Sequence, residues 1–223
     1  MVIKEGVKRV PILGPAAKKL YFYYGRWIGS NKLRRQLNEQ STIRLVVGAE
    51  GNYKEGWLPT GRKFLDLLKP EDWYRFFEHD SIDVILAEHV WEHLSYEQGV
   101  RAAQTCAIFL KPGGYVRAAV PDGLHPDPDY IEWVKIDGVG PAADDHKMLY
   151  IYDVFRKVFE QAGLEVTLLE YFDEDGHFNY HEWNPDDGYI RRSKRFDKRN
   201  QNEKLHYTSI ILDAVKVAPG AGA

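Results

Sequence analysis

The sequence predicts an α/β protein: a three-layer α/β/α, doubly wound, mostly parallel sheet with an antiparallel C-terminal edge. Three observations predict it. Short β-branched runs alternate with helical patterns along most of the chain, which is the signature of stacked β-α-β units. The runs TIRLVVG (42–48) and SIDVILAEH (81–89) are apolar on both strand faces, as strands covered on both sides are. The last two strand-like runs are joined by a long polar segment, so they can pair antiparallel.

The elements follow in order. Residues 1–14 read as an extended arm. From Ala16 to Trp27 the pattern is helical, with Leu20, Tyr24 and Trp27 three or four apart. The cluster YFYYGRW inside it is short for a membrane anchor and contains Gly25, so packing onto the domain or a partner subunit is expected. Between the strands at 42–48 and 81–89, GWLP and KFLDLL read as brief strands and PEDWYRFF as a helix. A first crossover helix needs about ten residues, which NYKEGW does not leave, so a loop is expected there. Ser95 and Gln98 form a capping-box pair that opens a helix. Val100, Ala103, Ala107 and Leu110 share its face, and KPGG (111–114) is expected to stop it. YVRAAVPD (115–122) reads as the next strand and HPDPDYIEWVK as a loop with a short helix. Ile151, Val154, Phe155, Val158, Phe159 and Ala162 line a further helix closed by Gly163. LEVTLLEYF (164–172) and YTSIILDAVKV (207–217) read as the terminal strands. The division expected is an arm and helix over 1–41, a domain over 42–217 and a tail over 218–223.

Composition narrows the function classes. The chain has 223 residues, enough for one domain with a sizeable core. A net charge of −3 gives no global case for nucleic acid or an anionic membrane. The single cysteine, Cys106, excludes an intramolecular disulfide and a cysteine zinc cluster, and fits a reducing compartment. With no apolar run near the ~20 residues that span a bilayer, a cytoplasmic protein without a membrane partner is expected.

Four stretches carry a family resemblance. RLVVGAEGNYKEGW resembles a glycine-turn motif after a first strand. SIDVILAEHVWEHL resembles a fourth strand and its exit. FLKPGGYVRAAVPD resembles a helix end, glycine turn and fifth strand, and is the most specific. The region with RRSKRFDKRN and YTSIILDAVKV resembles a C-terminal part. In this order they resemble the class I S-adenosylmethionine (SAM) dependent methyltransferases, of the type 11-like kind and a branch described as predicted SAM-dependent methyltransferases. The likeness spans about residues 42–217. It implies a Rossmann-like methyltransferase fold, SAM as cofactor and a methyl acceptor that is a small molecule or glycan-like. It implies that Gly48, Ala49, Glu50 and Gly51 form the cofactor turn, that Asp66 faces the adenine amine, and that Glu88 and His89 stand at the mouth of the pocket. Two departures stand out. The second glycine of G-x-G is Glu50, and the acid expected to hold the ribose falls near Thr60-Gly61, where Gly61 has no side chain. They motivate a second reading, a methyltransferase-fold protein with weak or lost cofactor binding that acts as an interaction module.

His89-Val90-Trp91-Glu92-His93 also spells H-x-x-E-H, which marks a zinc helix in some hydrolases. That site needs both histidines on one helical face. Here His89 follows directly on a strand and the helix starts only at Ser95. Zinc hydrolysis is therefore the third reading, no metal is expected, and Glu92 and His93 are expected to anchor the turn. If the acceptor must lose a proton, a base belongs on the loops at the strand carboxyl ends. His146 is the first candidate, with Asp145 to orient it; His89 follows, then Asp122 and His125 after the fifth strand. The segment EDGHFNYHEWNPDDGYIRRSKRFDKRN is long enough to belong to the acceptor site or a subunit contact. RRSKRFDKR is locally basic, but nucleic acid is not expected on an acidic chain. A homo-oligomer stays open.

Overall fold

The computed structural model describes residues 15–49, 53–201 and 204–218. The arm at 1–14, Glu50, Gly51 and the end of the tail lie outside the described residues. Seven strands form one sheet: β1 (Arg44–Val46), β2 (Leu58–Pro59), β3 (Ile82–Glu88), β4 (Leu110–Pro121), β5 (Glu165–Phe172), β6 (Phe178–Tyr180) and β7 (Ser209–Val215), ordered β2-β1-β3-β4-β7-β5-β6. The first four are mutually parallel; β7 runs antiparallel to both β4 and β5, and β6 antiparallel to β5. The C-terminal half is antiparallel as expected, but β7 lies inside the sheet and β6 forms the edge.

The helices are α1 (Pro15–Leu37), α2 (Pro70–Trp73), α3 (Tyr96–Phe109), α4 (Pro128–Val134) and α5 (Tyr152–Glu160). Ser95 accepts from the Gln98 N–H and Gln98 accepts from the Ser95 N–H, completing the expected capping box of α3. Gly163 ends α5 region at φ +79°. Three expectations change. KFLDLL is not a strand: the N–H groups of Phe64 and Leu65 donate to Gly61 O, and that of Lys69 to Asp66 O, so the segment is successive turns. KPGG does not precede β4 but lies within it, because Gly113 N donates to Lys216 O and Lys216 N to Gly114 O, extending the ladder with the chain after β7. α1 runs on from its expected end at Trp27 to Leu37, nearly doubling its length, and Leu33 is buried, yet Leu20, Tyr21, Tyr23, Tyr24 and Trp27 are exposed. Packing of that aromatic cluster onto the domain is not what the structure shows.

Strand alternation divides the core. Leu45, Val47, Ile85, Ala87, Val116, Ala118, Ile210 and Leu212 face α3 and α5 with Trp73, Trp91, Phe155 and Phe159. Val46, Val84, Leu86, Ala119, Leu169 and Ile211 face the other way, where Trp57, Trp183 and Ile190 cover them. On this side the outer layer is the irregular segment 181–200. Three strand side chains hold it. Arg117 forms a two-bond pair with Asp213 (2.7 Å each) and donates to Asn184 O and Gly188 O. Glu170 accepts from Trp183 Nε1 and Lys194 N. Glu88 accepts from Arg191 N and Arg192 N. The sheet thus offers charge to backbone groups that a loop would otherwise leave unpaired in contact with a core.

Candidate functional site

The carboxyl ends of β1, β3 and β4 converge on one rim, where ligands sit in doubly wound sheets. At the end of β1, Gly48 has φ +71°, and a Cβ there would lie 2.7 Å from Val90 Cγ2. Only glycine suits both the left-handed backbone and the Val90 contact. At the end of β3, His89 also has positive φ (+56°), a rare state for a residue with a Cβ. The backbone thus turns sharply, with the His89 main-chain N–H donated to Ala119 O.

Two cavities meet at His89. The smaller, about 330 Å³, is walled by Gly48, Arg62, Asp66, Leu67, Leu68, Val90, His93 and Leu94. Asp66 Oδ1 accepts from Leu68 N, while Arg62 Nε and Lys69 Nζ stand 3.7 and 4.0 Å from Oδ2. One oxygen of Asp66 is therefore fixed by the backbone and the other faces the cleft with only loose ion pairs. Beside it, Thr60 donates its hydroxyl to Val46 O and Gly61 brings no side chain. A neighbouring cleft shares Gly48, Arg62 and Asp66, and adds Phe22, Arg26, Ala49 and Lys63.

The second cavity, about 510 Å³, lies under the 181–200 segment. His89, His146 and Tyr207 form its floor, Trp133, Val134 and Phe196 its apolar side, and Arg191, Arg192, Lys198 and Arg199 its cationic side. Arg199 lies 3.4 Å over the Tyr207 ring and pairs with Asp197; Tyr207 in turn stacks on His89 at 6.2 Å between centroids. Asn200 pins this wall, donating to Ser193 O and Tyr207 O and accepting from Tyr207 N. RRSKRFDKRN is thus one wall of a pocket rather than an open basic stripe.

His146 and His89 both stand on that floor, but their partners differ from expectation. His146 is oriented by Val134 O, to which Nδ1 donates at 2.8 Å, not by Asp145. Its Nε2 is thereby left with a lone pair. Asp145 instead faces His93, whose Nδ1 is 3.3 Å from Asp145 O and 3.4 Å from the carboxylate. His89 Nε2 bonds Ser209 Oγ at 3.0 Å. Burial lowers the His146 pKa and puts that of His89 well below the ordinary value, so both rings are neutral near pH 7.

Other candidates are placed elsewhere. Asp122 is fully buried and spends its oxygens on Leu124 N and Phe172 N, stitching β4 to β5; burial pushes its carboxyl up to about 6. It is a structural carboxylate rather than a group open to substrate. His125 donates to Leu205 O, accepts from Asp127 N and stacks on Tyr130, also a structural role. Glu88 holds the covering loop instead of lining either cavity.

Glu92 was expected to anchor its turn. Its backbone carbonyl does so, accepting from Lys147 N and Met148 N. Its side chain does not. The residue is fully buried and neither carboxylate oxygen has a hydrogen-bond partner among the described residues. His89 Nδ1 lies 3.2 Å from Oε1, but that ring is neutral and the geometry is not a hydrogen bond, so the contact is no ion pair. Burial pushes the Glu92 carboxyl up to about 8. Its charge environment could not be read from the sequence, because His146 is 54 residues away; the signal available was the E-H pair itself.

No family model matches the chain, and neither does any curated protein. Solved structures resemble it in chain course. A SAM-dependent methyltransferase from Archaeoglobus fulgidus is 14% identical, with 88% of this chain and 99% of that one covered at a TM-score of 0.44. A SAM-dependent methyltransferase from Thermotoga maritima is 12% identical, with 88% and 91% covered at 0.46. What the site can do follows from its own residues.

Proposed function

We propose that the chain is a SAM-dependent methyltransferase whose cofactor cleft and acceptor pocket meet at His89. The observation that carries this reading is the placement of one imidazole on the wall of both cavities, at the carboxyl rim of the parallel strands. The cleft beside Gly48 suits the cofactor in part. Asp66 offers an adenine amine the carboxylate oxygen that only the loose Arg62 and Lys69 pairs engage, and Leu67, Leu68, Val90 and Leu94 give the base apolar walls. The ribose end departs, since Gly61 supplies no acid. When bound, the cofactor supplies a methyl group on a sulfonium, and the protein's task is to position the acceptor against it and keep water out.

The acceptor pocket favours an anionic small molecule. Arg191, Arg192 and Lys198 offer charge, Trp133 and Phe196 offer ring or aliphatic contact, and the neutral imidazoles of His89 and His146 sit where an acceptor's proton must leave. A sugar acid or an aromatic acid meets these demands.

The test is calorimetry with S-adenosylhomocysteine on the intact chain and on Asp66→Asn. That variant keeps the oxygen that caps Leu68 and loses the acceptor facing the cleft. Binding weakened about tenfold, the cost of one ~1.5 kcal/mol charged hydrogen bond, with an unchanged ligand-free melting temperature, is expected. Absence of binding by the unaltered chain overturns the reading. It leaves the interaction module, which Gly61 and the exposed aromatic face of α1 favour.

A further inference from the structure

We infer that Glu92, His93 and His146 form a divalent-cation site at the junction of the two cavities. One ligand atom from each lies within 4.8 Å of the others. Ligands about 2.1 Å from one tetrahedral ion stand ~3.4 Å apart, so the site closes by side-chain motion of ~1.4 Å at most. His93 borders the smaller cavity and His146 the larger, with Glu92 buried between them.

The hydrogen-bond inventory points the same way. His146 Nδ1 faces the carbonyl of Val134, and His93 Nδ1 faces that of Asp145. A carbonyl oxygen only accepts, so each ring carries its proton on Nδ1 and turns an Nε2 lone pair elsewhere. Metal-binding histidines are held in this way, with the second ring nitrogen donated to a carbonyl or carboxylate. The Glu92 carboxylate adds two further oxygens without a donor among the described residues. One ligand atom each of Glu92, His93 and His146 thus converges on one point, with His89 Nδ1 the neighbouring ring nitrogen 3.2 Å from Glu92 Oε1. Arg192, a nearby cation, spends its Nη1 on Glu88.

Two imidazoles and one carboxylate suit Zn²⁺, Mn²⁺ or Co²⁺ better than Ca²⁺ or Mg²⁺. Three protein ligands leave positions open, as in sites that also bind substrate. The site differs from the H-x-x-E-H zinc helix: it uses Glu92 and His93 of that motif with His146 from another loop, while His89 stays on Ser209. The cation site itself does not depend on the proposed function. Its consequence there does: an oxygen of the anionic acceptor could occupy an open position, leaving His89 as the free imidazole beside it.

The test uses the full chain freed of metal with a chelator. Zn²⁺ and Mn²⁺ are titrated by calorimetry, and Co²⁺ is followed by its visible absorption. One equivalent is expected, with an imidazole-carboxylate Co²⁺ spectrum. Glu92→Gln, which keeps the shape, and His146→Ala should each weaken binding more than ~100-fold, beyond the range of an outer-sphere partner. His79→Ala, a histidine away from the site, should not. Circular dichroism establishes that each variant is folded. Failure of all three ions to bind, or binding unchanged in both Glu92→Gln and His146→Ala, overturns the inference. S-adenosylhomocysteine binding in the metal-free samples separates the two proposals: cofactor without cation removes only the site, and cation without cofactor removes only the methyltransferase reading.

Discussion

The two faces of the sheet are sealed by different physics. On one face, Leu45, Ile85, Val116 and Leu212 meet the apolar stripes of α3 and α5, and Phe155 and Phe159 fill the space between. On the other, Val46, Leu86 and Ile211 meet Trp183 and Ile190 from an irregular segment that has no ladder of its own. A helix satisfies its own backbone; a loop does not. The second face therefore needs Arg117, Glu170 and Glu88 to pair with backbone groups of the covering segment. The self-contained layer is a scaffold, and the pinned layer walls the cavity of about 510 Å³.

The sharpest way to break this contrast is to remove its central anchor. Arg117→Ala strands a carboxylate and two carbonyls, and breaking a buried pair in this way costs about 3–5 kcal/mol. Urea unfolding should show that loss, and limited proteolysis should now cut within 181–200. An unchanged cleavage pattern would show that the loop does not depend on the anchor.

Next in size is a pH effect at the seam between the faces. In the unfolded chain Asp122 ionises at its ordinary 3.8, whereas in the fold it holds its proton to about 6. Its contribution is therefore full below 3.8, falls as pH rises, and is lost once pH passes through about 6. A difference of about two pKa units is worth ~3 kcal/mol at the limit. Melting temperature measured from pH 4 to 7 should decline less steeply in Asp122→Asn than in the unaltered chain, and equal slopes would contradict the assignment.

Glu170→Gln tests a weaker anchor. The amide can satisfy either Trp183 Nε1 or Lys194 N but not both, and one unpaired buried donor costs about 1–3 kcal/mol. Hydrogen exchange should rise at Lys194 and not along α5. The smallest change belongs to the scaffold face. Ser95→Ala removes the α3 cap for about 1 kcal/mol, and chemical denaturation should register it while protease resistance of 181–200 stays as it was.

This contrast also explains what the sequence let one read. The scaffold was legible because its signals are local: the Ser95–Gln98 box, the stripe in α5 and the β-branched runs of β3 and β7 all appear where expected. The pinned layer was not. Nothing near Arg117 in sequence says that it holds Asn184 and Gly188, 67 and 71 residues on. KFLDLL has strand-like composition, but Gly61 and Asp66 draw its amides into turns. At the site, His89 was legible as a strand-exit residue, and its left-handed backbone follows from that sharp turn. The partner of His146 was misjudged because a backbone carbonyl, Val134 O, leaves no mark in a side-chain pattern.

The grip on the covering segment has a consequence for how such a pocket can diversify. Glu88 and Arg117 reach main-chain atoms at Arg191, Asn184 and Gly188, and a change of the Arg191 side chain other than to proline leaves its N–H in place. Side chains that take no part in holding the segment, unlike those of Trp183 and Asn200, can then be exchanged without loosening its attachment. What the larger cavity admits can therefore change through single replacements at positions such as Arg191 or Lys198, with the architecture beneath indifferent to the outcome.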